Sequence, residues 1–183
     1  PTIDYNIRIF SSPEKLDEEI CKLADKEESS LSRLIATYDW EYNEKTNPTE
    51  RLSKYWEVLI NGWHKPWNRE LESELSPKQK RYNKKLAWAE QKQTIGEVGS
   101  TFTIQGFDLN YAGVILGPSV KYKNGRIVFD PESSCNTKAV RKRTLSDGTK
   151  KKFGEELLRH EVRVFPVRMQ PDRLWQWNST ITA

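Results

Sequence analysis

Between Gly99 and Asp108 the chain gathers side chains suited to holding a phosphorylated ligand. Ser100, Thr101 and Thr103 carry hydroxyls that can donate to phosphate oxygens. Gln105 offers both a donor and an acceptor, and Asp108 can accept from a ribose hydroxyl or orient a basic partner. Gly99 and Gly106 allow the backbone to turn sharply or approach a ligand closely. Were the turn to lead into a helix, its amide N–H groups would also point at an anion. An ordinary polar turn has the same composition, so the residue types alone leave both readings open.

Two further groups carry possible chemistry. Asp39 to Asn68 is dense in rings, with Trp40, Tyr42, Tyr55, Trp56, Trp63 and Trp67. Aromatic side chains beside cations stack on nucleobases at about 1–3 kcal/mol per base. Trp63 and Trp67, bracketed by His64, Lys65 and Arg69, are the candidates for an exposed stacking surface; the alternative is that the rings pack on one another. The second group is a basic tract of Lys138, Arg141, Lys142, Arg143 and Lys150 to Lys152, interrupted by Ser146-Asp147-Gly148. It reads either as a phosphate-neutralising surface with salt-sensitive binding or as a solvated loop. Asp39 and Glu41 are ligand candidates if they end a strand, and otherwise a solvated turn. His64 and His160 have no acids or cysteines at metal-ligand spacing, so no zinc site is expected, and no acid cluster suggests a metal-dependent nuclease.

These residues need a scaffold, and the pattern of the chain supplies an α/β one. Tyr5 to Phe10 alternates as a strand, and Ser12-Pro13 starts a helix with Leu16, Ile20, Leu23 and Ala24 on one side. Leu34 to Tyr38 reads as a second, buried strand, giving the strand–helix–strand order of a covered parallel sheet. Trp56, Val58 and Ile60 alternate as a strand, whereas Ser76 to Lys92 reads as either helix or irregular connection. The apolar run Ala112 to Leu116, closed by Gly117-Pro118, is a buried strand directly after the hydroxyl-rich turn. Asn124-Gly125 between Val120–Lys123 and Arg126–Phe129 marks a hairpin, and Gly154 to Val164 a helix with Leu157, Leu158 and Val162 inward.

Bulk properties narrow the class without choosing within it. The 183 residues suit one domain with a real core, and a net charge of +4 permits a nucleic-acid partner without demanding one. No apolar run approaches the roughly 20 residues of a membrane span, and the amino terminus lacks the order of a signal peptide. Cys21 and Cys135 form no CxxC motif and read as free thiols of a reducing cytoplasm.

Thr103-Ile104-Gln105-Gly106-Phe107-Asp108, followed by Tyr111 to Gly117, resembles motif V of superfamily-1 helicases, in which a Gln-Gly or Lys-Gly pair precedes an acid and a hydrophobic strand. Adding Gly96-Glu97-Val98, Ala36 to Glu41 and Lys65-Pro66-Trp67-Asn68, the chain looks like the Schlafen-related DNA/RNA helicase domain family, a bacterial and archaeal group of helicase-like ATPases. The resemblance runs from about Asp4 to Val164. It implies a RecA-like domain of the P-loop-NTPase type, with a mainly parallel sheet, an aromatic-rich insertion and a β-hairpin. It further implies that residues 1–164 form the second, C-terminal domain of a helicase or translocase motor, with 165–183 an atypical tail. Gln105, Gly106 and Asp108, with Thr103, would couple nucleotide to strand. Ser100, Thr101, Thr103, Trp63, Trp67 and the tract Lys138, Arg141, Lys142 and Arg143 would contact single-stranded DNA or RNA.

ATP and Mg2+ would be held mainly by a separate N-terminal RecA-like domain. This chain contains no GxxxxGK[ST] loop and by itself should not hydrolyse ATP. The family pattern departs at its end: relatives carry Thr-Arg-Gly, motif VI, whose arginine reaches the phosphates. Here Arg168 falls at that position, but Val167 and Met169 replace the neighbours and Pro166 is unsuited to a central strand. The tail with Trp175 and Trp177 does not look like the family's strand. The altered motif is what an ATP-independent interaction module on a helicase-like scaffold would show.

Overall fold

A computed structural model of the chain describes residues 7–26, 31–43, 45–46, 48, 53–104, 108–167 and 174–178, leaving aside the side chains of 138–139, 164–167 and 174–178. In chain order its elements are β1 (Arg8–Phe10), α1 (Pro13–Lys26), β2 (Ser32–Ala36), β3 (Glu57–Ile60), β4 (Trp63–Pro66), α2 (Pro77–Asn83), β5 (Val98–Ser100), β6 (Tyr111–Leu116), β7 (Val120–Lys123), β8 (Arg126–Phe129), α3 (Thr137–Val140), β9 (Arg143–Thr144), β10 (Lys150–Lys151), α4 (Gly154–Val167) and β11 (Leu174–Asn178).

Five strands pair in parallel, in the order β1-β11-β6-β2-β5. All of β2 is buried, as is β6 after Tyr111, because both faces of the sheet are covered. Side-chain alternation divides the core. Leu34, Ala36, Val98 and Ile115 meet Leu16, Ile20 and Leu23 of α1, with Val58, Ile60 and Trp67. Ile35, Ala112, Val114 and Leu116 face the other way, onto Trp88, Ile104, Leu109 and Val120. The expected α/β class with parallel strands and hairpins is therefore present.

Local signals account for most element boundaries. Ser12 Oγ accepts from the Lys15 N–H at 3.4 Å, with Pro13 in the first helical position of α1. Helix α2, left open by its sequence, starts with a capping box: Ser76 Oγ accepts from the Gln79 N–H, and Gln79 Oε1 accepts from the Ser76 N–H. The β7–β8 hairpin closes at Asn124 and Gly125, with φ of 51° and 76°, as a two-residue turn with both central residues left-handed requires. A second Asn-Gly pair closes β3–β4 the same way, Asn61 at 47° and Gly62 at 92°, a hairpin signal not read from sequence.

Three expectations change. The second strand begins at Ser32 rather than Leu34, since the buried Arg33 finds partners: its Nε donates to Thr94 Oγ1 at 2.7 Å and its terminal nitrogens to the carbonyls of Ser32 and Gln91. Burial pulls its pKa down to about 10. Helix α4 runs to Val167, past the expected end, so Pro166 lies in a helix and not in a strand. The stretch holding Trp175 and Trp177 is strand β11, inserted between β1 and β6 with Gln176 opposite Ile9 and Val114. Ladder bonds are made by backbone groups, which side-chain resemblance does not report.

The α1–β6 contact is tight at Gly113, where a Cβ would meet Leu34 Cδ2 at 2.6 Å and Ile20 Cγ1 at 2.8 Å. Gly113→Ala is expected to destabilise the chain by about 1–3 kcal/mol, seen as a lower urea midpoint. An unchanged midpoint would mean that the helix sits further from the sheet.

A candidate nucleic-acid interface at the carboxyl edge of the sheet

The carboxyl ends of β2, β5 and β6 converge, as sequence order and parallel pairing require. Each strand end leaves backbone N–H groups without a ladder partner, and side chains take them up. After β2, Thr37 Oγ1 donates to Asp39 Oδ2 at 2.9 Å and accepts from the Gly117 N–H at 2.8 Å. Asp39 Oδ2 also accepts from the Ser119 N–H at 3.0 Å, so one carboxylate ties the end of β2 to the loop after β6. That loop passes so close that a Cβ on Gly117 would lie 2.3 Å from Asp39 Oδ2. Asp39 and Glu41 were candidates for one chemistry or one solvated turn; Asp39 is 7% exposed and structural, and Glu41 is exposed.

Glu161 of α4 closes the other half. Its Oε1 accepts from the Tyr38 N–H at 2.8 Å and from Thr101 Oγ1 at 3.3 Å, linking the turns after β2 and β5. Burial is the main reason its carboxyl is pushed up to about 7; the Tyr38 N–H opposes the rise and the neighbouring Asp39 charge adds to it. Burial likewise raises the Asp39 carboxyl, against hydrogen bonds from Ser119 and Thr37. Tyr38 is held on its carbonyl as well, by the Cys135 N–H at 2.9 Å and the Ser134 hydroxyl at 3.1 Å.

The hydroxyl-rich turn is stapled to itself. Thr103 Oγ1 accepts from the Ser100 N–H and donates to the Ser100 carbonyl, both at 2.8 Å, and Ser100 Oγ accepts from the Phe102 N–H. Ser100 and Thr101 are buried and Thr103 half-buried. The close approach at Gly99 is to protein and not to ligand space: a Cβ there would strike Thr103 Oγ1 at 2.6 Å and the Trp88 ring at 2.7 Å. Asp108 is exposed, whereas Gln105, Gly106 and Arg168 lie outside the described residues.

Beside this turn lies a cleft of about 310 Å3 lined by Tyr38, Tyr42, Asn68, Arg69, Ser100, Phe102 and Thr103. Trp67, expected at the surface, is 0% exposed, and Trp63 is half-buried against the same core. Trp67 bridges to Val98 of β5, which leaves it inside the sheet edge. Arg141, Lys142 and Arg143 are exposed and line a separate depression of about 390 Å3 with Thr144. The backbone of Lys138 is in α3.

A family model described as Schlafen group 3, DNA/RNA helicase domain, matches residues 1–168. The chain belongs to that family. This Schlafen group 3 domain is also similar to the uncharacterized protein YPL245W of Saccharomyces cerevisiae, 39% identical over 104 residues. The match covers 55% of the domain and 19% of the yeast protein, so the domain spans only a minor part of that relative's length. No solved structure matches it.

Glu161 was missed from sequence, although a signal existed. It falls three and four residues after Leu158 and Leu157, on the stripe of the Schlafen group 3 domain's last helix that should be apolar. Arg69 was read only as a neighbour of Trp67.

Because folded Glu161 holds its proton more tightly than the ordinary 4.5, the stability it contributes is complete below about pH 4.5 and is lost as pH rises to about 7. The slope is at most about 1.4 kcal/mol per pH unit. Glu161→Gln keeps an acceptor oxygen for Tyr38 without ionising, and should flatten this part of the stability curve. Urea unfolding between pH 4.5 and 7 checks it; equal slopes in parent and variant would rule the assignment out.

Proposed function

We propose that this chain is the second, C-terminal RecA-like domain of a superfamily-1-like DNA/RNA helicase or translocase. The observation that carries the reading is the helicase-domain family match over residues 1–168. The hydroxyl-rich turn at the carboxyl edge of a parallel sheet supports it, since that edge is where such sheets hold ligands. Single-stranded DNA or RNA is the polymer, and the compartment is the cytoplasm. ATP supplies the energy for domain closure, and an N-terminal RecA-like domain brings the phosphate-binding loop. Mg2+ would accompany ATP, held mainly by that partner domain and the phosphates.

In this reading Thr103, Gln105, Gly106 and Asp108 couple the nucleotide to the strand, and Arg168 approaches the phosphates. The exposed Arg141, Lys142 and Arg143, with Lys138, neutralise strand phosphates. Asp108, exposed beside the buried Leu109, is placed to face the N-terminal domain. A second reading rests on Val167 and Met169 flanking Arg168: the domain keeps the helicase scaffold but binds nucleic acid or protein without ATP.

Strand-stimulated ATP turnover by the longer protein that carries both domains decides between them. Gln105→Ala and Asp108→Ala are each expected to lower turnover by about tenfold or more, equivalent to roughly 1.4 kcal/mol of lost transition-state stabilisation. The isolated chain should turn over no ATP. Parent-like turnover in both variants would remove the motor assignment and leave the interaction module.

A further inference from the structure

Of the nucleic-acid residues expected from sequence, only Ser100 and Thr103 border the cleft beside the hydroxyl-rich turn, and the rest of its lining has no assigned role. Its composition points to one ligand class. Phe102 is 44% exposed at its rim, and the Tyr38 ring meets it edge-on at 5.5 Å and 79°. The Tyr38 ring tilts in turn onto the buried Trp67, at 5.6 Å, so the exposed ring is anchored to the core. On the far side of Tyr38, Tyr42 and Phe102 lies a second hollow of about 290 Å3, reaching Cys135, Asn136 and Thr137. The aromatic group therefore stands between two adjoining hollows, each near the lower end of volumes that take a small ligand.

Polar groups complete the first hollow. Arg69 is exposed, and its guanidinium makes no hydrogen bond or close ion pair among the described residues; its charge favours the ionised form of Glu97, whose pKa burial raises. Asn68 is 5% exposed, yet its Oδ1 has no hydrogen-bond partner there. Both residues are left-handed, with φ of 51° and 67°; asparagine tolerates this conformation, whereas an arginine adopts it only when the surroundings impose it. Here the imposing contacts are the Trp67 N–H to the Trp56 carbonyl at 2.8 Å and the Asn68 N–H to the Val98 carbonyl at 3.0 Å. They direct Arg69 to the cleft mouth. An anchored ring next to an exposed guanidinium and an unmet amide oxygen suits a nucleotide, with its flat base, its phosphate and its donor-bearing edge.

We propose that this cleft binds successive nucleotides of single-stranded nucleic acid, with bases against the Phe102, Tyr38 and Tyr42 group and Arg69 on a phosphate. The inference rests on the nucleic-acid reading above and adds a site to it. Phe102 and Arg69 are contact residues, and Glu161, through Tyr38 and Thr101, is the positioning residue for the site.

The test is fluorescence-anisotropy titration of a labelled single-stranded oligonucleotide with the full chain at several salt concentrations. Arg69→Gln should reduce the salt slope by about 0.7, the loss of one strand phosphate contact. Phe102→Ala and Phe102→Leu should each weaken binding by roughly tenfold at every salt concentration while leaving the slope unchanged. Thermal unfolding of these surface variants should match the parent. Parent-like affinity and slope in all three would overturn the site while leaving the helicase reading intact. Absence of strand binding by the parent at low salt would overturn it too. Displacement of the strand by free ATP, with the same variants weakening ATP binding, would reassign the cleft to a mononucleotide and overturn the strand site.

Discussion

One oxygen of Glu161 holds the site together. It receives the Tyr38 N–H from the end of β2 and the Thr101 hydroxyl from the turn after β5. Without an acceptor there, a backbone N–H buried at a strand end would lose about 1–3 kcal/mol. Asp39 does the corresponding work for the loop after β6, through the Ser119 N–H and the Thr37 hydroxyl. Two carboxylates inside one protein edge are costly to ionise, and both are shifted toward the neutral form. The result is a platform in which three strand ends are fixed relative to one another before any ligand arrives.

That platform governs the aromatic insertion. Four rings form a connected series with the buried Trp67 at its inner point: Trp40 packs on Trp67 at 6.2 Å, and outward from Trp67 come Tyr38 and then Phe102. The innermost ring is locked by the bridge to Val98 and by burial, even though its Nε1 has no acceptor among the described residues. The orientation of an exposed ring is thus set by a buried one. A base stacking on Phe102 would meet a surface whose conformational entropy is already reduced. Arg141, Lys142 and Arg143 of the basic tract lie in a separate depression and are exposed.

Much of the scaffold was legible because its signals are local. Ser12-Pro13 and Asn124-Gly125 specify backbone conformations within a few residues, and the apolar run into Gly117-Pro118 needs only a buried strand's composition. Asn61-Gly62 carried the same hairpin information. By contrast, Leu174 to Asn178 joins the sheet through neighbours more than 50 residues distant in β6 and over 160 distant in β1, which no local pattern encodes.

The sequence by itself determined the α/β class, the order of helix and strands, and the family likeness of the stretch from Thr103 to Gly117. Only the tertiary structure decided which polar side chains are committed to the protein and which are available. Ser100, Thr101 and Asp39 are the types that bind ligands, yet strand ends that converge in space engage the two hydroxyls and one carboxylate oxygen, Asp39 Oδ2. Trp67 and Arg69 are two residues apart, but one seals the sheet edge and the other opens onto a cleft. The physical reason is that burial and hydrogen-bond satisfaction depend on which distant segments meet, a property of the fold and not of the local chain.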